Sequence, residues 1–312
     1  MTPITISEIE GFLVGHQEDQ KLKTGCTAIL GSVNLVASAY TPGFAPGSRE
    51  MDLLKPESLV QSINGLLLSG GSSFGLAAAT GVVKFLLEKN IGFPVGELVV
   101  PIVPGAVIFD YPANQSQGRL PDAAMGYAAA AKASQEPVLS GPYGAGYSAA
   151  SGKIGDLSLS SPSGLGSYGL AAQNGLKVAV LAVVNPLGSV INPKNGQIIS
   201  GFRRPNGQLA SRGEILAALN TAKAPDSQPE TGHTVLVAVG TNAKIDKLGA
   251  YRLARMAGCG IARAIYPAHL MFDGDTVFAL SSNLGPSVEL SYLGALAADL
   301  VSEAIVRSVP KY

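Results

Sequence analysis

GHTVLVAVGTN, residues 232–242, is the stretch from which the rest of the chain is read. Val235, Leu236, Val237, Ala238 and Val239 form an unbroken apolar run closed by Gly240, the pattern of a strand buried on both faces. The preceding TAKAPDSQPETGH is polar, proline-bearing and glycine-ended, so a solvated loop passes into a core strand at His233-Thr234. Thr234 is on one reading an ordinary β-branched strand residue. On the other, the His233–Thr234 bond breaks, and a new α-amine with a pKa of about 7.7–8.0 lies beside the hydroxyl it can activate.

Composition limits what such a site can serve. Among 312 residues, Lys+Arg and Asp+Glu both number 22, and no basic stripe of the kind a phosphate backbone requires is present, which argues against nucleic acid. Charged residues are 14% of the chain and AVILMFWYC residues 46%, too little charge to cover a monomer comfortably; a homo-oligomer, a tetramer or similar, is expected. Cys26 and Cys259 cannot make a disulfide framework, and both read as buried small hydrophobes. The amino terminus MTPITISEIEG has no signal-peptide pattern and no apolar run reaches membrane-spanning length, so a cytoplasmic protein without a membrane partner is expected.

Glycine (38) and proline (20) punctuate the whole chain and no repeat is visible, so residues 1–312 read as one domain. CTAILGSVNLVASAY looks like a strand pair, and KPESLVQSINGLLLSGG like a short helix, a strand and a glycine turn. SSFGLAAATGVVKFLLEKN reads as a serine-capped helix with Phe74, Ala77, Ala78, Val82, Phe85 and Leu86 at helical spacing. ELVVPIVPGAVIFDY suggests two short strands, PDAAMGYAAAAKAS a small-residue helix, and GLKVAVLAVVNPLGSV a core strand ending at Asn185-Pro186. A long helix, the strand DTVFALSS and a last long helix follow the Thr234 strand. Strands and helices come in blocks, which predicts a layered α+β fold.

Two further motifs stand near strand ends. In FDGDTVF, Asp273 and Asp275 flank Gly274, which is ordinary turn chemistry or, two residues apart, a mutually repelling carboxylate pair able to hold a hydroxyl and an ammonium. Asn185 is either a turn former or an amide aimed at an oxyanion. LLLSGGSSFGL lacks the lysine of a phosphate-binding loop and reads as close packing near the site. Of His16, His233 and His269, only His269 stands at ligand-like spacing, with Asp273 and Asp275; no metal is expected.

Taken in order, PGSREMDLLKPESLVQSINGLLLSGGSSFGL, NIGFPVGELVVPIVPGAVIFD, GPYGAGYSAASGKIG, VAVLAVVNPLGSV, TNAKIDKLGAYRLARMA and GIARAIYPAHLMFDGDTVFAL resemble the L-aminopeptidase/D-esterase family, which includes the β-aminopeptidases and the 6-aminohexanoate-oligomer hydrolases. The resemblance implies an αββα sandwich and a precursor that cuts itself, here into residues 1–233 and 234–312. It implies Thr234 as nucleophile, Asn185 as oxyanion donor, Asp273 and Asp275 as the paired acids, Lys153 of SGKIG as an auxiliary lysine and Tyr111 of IFDY on the substrate side. The acid pair matches the oligomer-hydrolase branch better than the aminopeptidase branch, where Ser and Glu are expected. His233 stands where the family generally has Gly or Asn. An amide hydrolase of small peptides, amino-acid amides or short amide oligomers is implied, with no cofactor. The alternatives are an acyltransferase using the same acyl-threonine, or an unprocessed binding protein.

Overall fold

The computed structural model describes residues 1–110, 120–154, 157–221 and 232–310. Thr234–Thr241 is the strand its apolar run predicts, buried at all eight positions. The alternation hidden in that run appears in the packing. Val235, Val237 and Val239 enter one core, and Leu236 and Ala238 enter another. A strand facing two cores has no polar side to show.

Ten strands are joined by one hydrogen-bonded network: β1 (Thr2–Ile4), β2 (Phe12–Asp19), β3 (Thr24–Tyr40), β4 (Gly47–Arg49), β5 (Ser62–Ser69), β6 (Gly105–Val107), β7 (Leu165–Ala171), β8 (Lys177–Asn185), β9 (Thr234–Thr241) and β10 (Thr276–Ser281). Their spatial order is β1-β7-β8-β9-β10-β3-β5-β6-β4, with β2 beside β3. β3 carries the path between the two sheets of the sandwich. Its first part pairs with β2 and β5, and Val36–Tyr40 pairs with β10. The strand pair expected in this stretch is therefore one strand of 17 residues. The ladder with β5 shifts register between Leu30 and Leu35; the chain bulges there and does not reverse.

Three cores separate four layers. Val178, Val180, Val237 and Val277 pack under Leu253 and Ile261 of α4 (Lys247–Ala264) and Leu293 and Val301 of α5 (Leu290–Arg307). Leu181, Val183, Leu236 and Phe278 meet Phe12, Ile29, Leu66 and Leu68 between the sheets. Ala28, Leu30 and Leu67 pack against Ala78, Val82 and Leu86 of α1 (Ala78–Glu88) and Ala129 of α2 (Ala123–Ala131). This is the αββα sandwich.

Some local expectations change. The first helix has no serine cap: Ser72–Ala77 is a 3₁₀ turn after Gly71, whose φ of 80° lies in the left-handed region, and Phe74 within that turn is exposed. Cys26 is buried as expected, but Cys259 lies on the solvent side of α4 and is exposed. Among the described residues no helix is long and apolar enough to cross a membrane.

α1 and α2 approach each other closely at two glycines. A Cβ on Gly126 would run into the carbonyl oxygen of Ala78, and one on Gly81 into that of Ala123. Since backbone cannot yield as a flexible side chain does, Gly126→Val is expected to lower unfolding free energy by about 3 kcal/mol, read from the urea midpoint.

Candidate active site

β9 pairs antiparallel with β8 and parallel with β10, and these registers assemble the site. Thr234, the first residue of β9, lies opposite Asn185, the last residue of β8. The segment leading into β10 runs alongside, with Asp273 bridged to His233. Residues far apart in sequence thus meet at one end of the sheet.

The Thr234 hydroxyl donates to the carbonyl oxygen of His233 at 2.5 Å. The Gly274 N–H donates to that same oxygen at 2.9 Å. The glycine between the two aspartates is required by space, because a Cβ there would stand 2.8 Å from Thr234 Oγ1 and 2.7 Å from the Ala45 carbonyl oxygen.

Asp273 and Asp275 are both buried, with different partners. Asp275 Oδ1 accepts the Val235 N–H at 2.7 Å, and its Oδ2 lies 2.7 Å from His269 Nδ1. Asp273 Oδ2 accepts the Leu270 N–H at 2.6 Å, a turn contact of the kind the Asp-Gly sequence suggested. Its Oδ1 is buried with no hydrogen-bond partner among the described residues. Burial, reinforced by the Asp275 charge, pushes the Asp273 carboxyl up to about 7, while the Leu270 N–H, His269 and Lys153 pull it the other way.

Lys153 is buried too, its ammonium donating to the carbonyl oxygens of Asn185 at 3.0 Å and Gly232 at 2.9 Å. Burial lowers its pKa to about 7 against the pull of Asp110 and Asp273. His233 is lowered to about 2, by burial first and Lys153 second, so its ring is neutral at any working pH. Asn185 accepts the Ala150 N–H at 3.1 Å and gives one amide hydrogen to the Phe109 carbonyl at 3.0 Å. Among the described residues the other hydrogen of that NH₂ has no partner, which leaves it available to a ligand.

A cavity of about 200 Å³ opens beside Thr234, lined by Ala45, Ser72, Val107, Phe109 and Phe272. The SGGSS turn thus borders the site, as its sequence suggested. A larger cavity of about 1190 Å³ lies near Ser140, Asn192 and Arg307 and shares no residue with it. Only the smaller one borders the hydroxyl, so chemistry and not size marks the site.

Thr234, Asn185, Asp273, Asp275 and Lys153 are thus brought together, while Tyr111 lies outside the described residues. Three contributors were not assigned these parts from sequence. Gly274 acts through its N–H, His269 binds Asp275, and Asp110 accepts from the Gly71 N–H and Thr24 hydroxyl, both at 2.8 Å. The signal for His269 was its spacing to the aspartates, which also fits a metal site; among the described residues no three or more His, Cys, Asp or Glu converge to hold a metal.

The αββα sandwich is shared with solved structures. A β-aminopeptidase from Burkholderia sp. superposes with a TM-score of 0.71 over 98% of this chain and 87% of that one, at 19% identity. The L-aminopeptidase D-Ala-esterase/amidase of Ochrobactrum anthropi, described as a variant of the Ntn hydrolase fold, gives 0.70 over 97% and 85%, at 17% identity. The fold is thus of the Ntn hydrolase class. The model of peptidase family S58 matches residues 5–311, and the chain belongs to that family: it is a hydrolase acting on peptide or amide bonds. An uncharacterised aminopeptidase of Mycobacterium tuberculosis is 35% identical over 335 residues, covering 98% of this chain and 93% of the relative. A 6-aminohexanoate-oligomer endohydrolase of Agromyces sp. is 30% identical over 257 residues, 78% and 70% of the two chains.

Because the folded pKa of Asp273 is raised from an unfolded value of about 3.9, the native state keeps its proton to higher pH, and the associated stability is present below about pH 4 and lost on rising to 7. In a Thr234→Ala chain, Asp273→Asn is expected to raise Tm at about pH 8 and to leave it nearly unchanged near pH 3. Calorimetry across that range checks it.

Proposed function

We propose that the chain cuts its own His233–Thr234 bond and then works as an N-terminal-threonine amide hydrolase. The observation that carries this is the pair of hydrogen bonds on the His233 carbonyl oxygen, from the Thr234 hydroxyl and the Gly274 N–H. A carbonyl with a nucleophile beside it and a fixed donor on its oxygen is arranged for addition, because the donor strengthens as charge develops. Thr234 Oγ1 attacks the His233 carbonyl carbon, the C–N bond breaks in an N→O acyl shift, and water hydrolyses the ester. His233 then carries a carboxylate and Thr234 a free amine. Asp273 and Lys153, both held near neutrality, are the groups able to exchange protons during these steps.

In the processed enzyme the Thr234 amine takes the hydroxyl proton, Thr234 attacks the substrate carbonyl, and Asn185 supplies the spare amide hydrogen to the oxyanion. An acyl-Thr234 ester forms and water releases the acid; no cofactor enters. The names of the relatives support small peptides, amino-acid amides or short amide oligomers as substrates, with Tyr111 on the substrate side. We further propose that the enzyme is a homo-oligomer, on its low charge and apolar composition, and that it works in the cytoplasm.

Mass spectrometry of the purified protein tests the first step. Wild type and Thr234→Ser are expected to split at this bond, whereas Thr234→Ala stays at the full 31.8 kDa. Cleavage of Thr234→Ala at the same bond would mean that an outside protease makes the cut.

A further inference from the structure

The reaction above gives His269 no part, yet its ring is built into the site. His269 Nδ1 lies 2.7 Å from Oδ2 of Asp275, a carboxylate whose side chain is only 2% exposed. The other oxygen of Asp275 accepts the Val235 N–H at 2.7 Å. Val235 follows Thr234 directly, so a continuous chain of contacts runs from the imidazole through the carboxylate to the backbone carrying the hydroxyl. A buried carboxylate held by one backbone N–H alone is under-satisfied, and the imidazole provides its second donor. The His269 backbone lies at φ 56°, in the left-handed region that few side chains adopt but that Asn, Asp and His tolerate best. Its neighbours in charge are Asp275 and Asp273 on the same loop, with Lys153 as the cation facing Asp273 from across the site.

We infer that His269 is a positioning residue of the threonine site: its ring N–H fixes the Asp275 carboxylate, which clamps the Val235 N–H and so holds the Thr234 hydroxyl against the His233 carbonyl. The inference rests on Thr234 as the nucleophile. It differs from a general-base role because the proton of Nδ1 stays on the ring and no proton passes through His269. The demand on this position is therefore for an N–H donor on a backbone that accepts positive φ, and asparagine meets both parts.

The test compares His269→Leu with His269→Asn in the full chain, following precursor cleavage by mass. A misplaced hydroxyl costs on the order of 100-fold in rate, so His269→Leu is expected to cleave roughly 10–100-fold more slowly, while His269→Asn stays close to wild type. In an Asp275→Asn background, His269→Leu should add no further loss, since the two side chains act as one unit. Wild-type cleavage by a folded His269→Leu chain would overturn the inference. So would His269→Asn as slow as His269→Leu, because the ring itself would then be exchanging protons. A second measurement does not depend on cleavage: in a Thr234→Ala chain, hydrogen exchange at the Val235 amide should speed up with His269→Leu and not with His269→Asn. A wild-type chain that never cleaves would remove the reading of Thr234, and the exchange result would still decide the clamp; equal exchange in both variants overturns it.

Discussion

Parallel pairing brings the entry ends of two strands to the same end of a sheet, and the pairing of β9 with β10 is the constraint on which this site depends. Thr234 opens one strand, and Asp273, Gly274 and Asp275 lead into the other. Thr276 pairs with Leu236 and Asp273 bridges His233, so the residues leading into β10 lie beside the mouth of β9, whatever sequence separates them. An antiparallel arrangement would have sent the aspartates to the far end. β8 on the other flank runs antiparallel, so its last residue, not its first, meets Thr234. The topology alone thus selects a strand's final asparagine and another strand's leading loop as neighbours of one hydroxyl.

Such a meeting point concentrates charge where water is scarce. Two carboxylates and an ammonium are buried here, which is costly unless they neutralise one another or shift their protonation. Both responses are visible. Asp275 is satisfied by the Val235 N–H and His269, whereas Asp273, with one oxygen lacking a partner among the described residues, holds its proton to near neutrality, and Lys153 gives its up at a similar pH. The same desolvation that stresses the fold leaves two groups able to trade a proton without leaving the core.

Much of this was legible in the sequence because the strands carrying it are buried on both faces and read as unbroken apolar runs ending at polar residues. Thr234 and Asn185 stand at those endings, and the family resemblance added Lys153, which no spacing argument reaches. What stayed hidden depended on geometry between distant segments. CTAILGSVNLVASAY looked like two strands because its apolar alternation is imperfect; only the pairing of its two ends with β5 and β10 makes it one bulged strand. Phe74 has helical spacing to α1, but the left-handed Gly71 and a 3₁₀ start turn it outward. Cys259 followed the rule that small hydrophobes are buried and broke it on the outer side of α4. The bond from His269 to Asp275 is set by a loop conformation that sequence patterns do not encode.

The position of the His233–Thr234 bond bears on how two halves of this chain could ever part. The segment from Thr234 onward is not a lobe beside the rest. β9 lies against β8 through eight register positions, and β10 lies against β3 through five, so both outer flanks of the β9–β10 pair are ladders to the earlier part of the chain. Severing one peptide bond at the mouth of β9 leaves these ladders and the central core intact. The two pieces would be separate molecules by covalent count and still be held together by these ladders. Neither could be withdrawn without stripping two sheet edges and opening the core at once, so a partner lost by unfolding would have to be regained by folding together, not by docking.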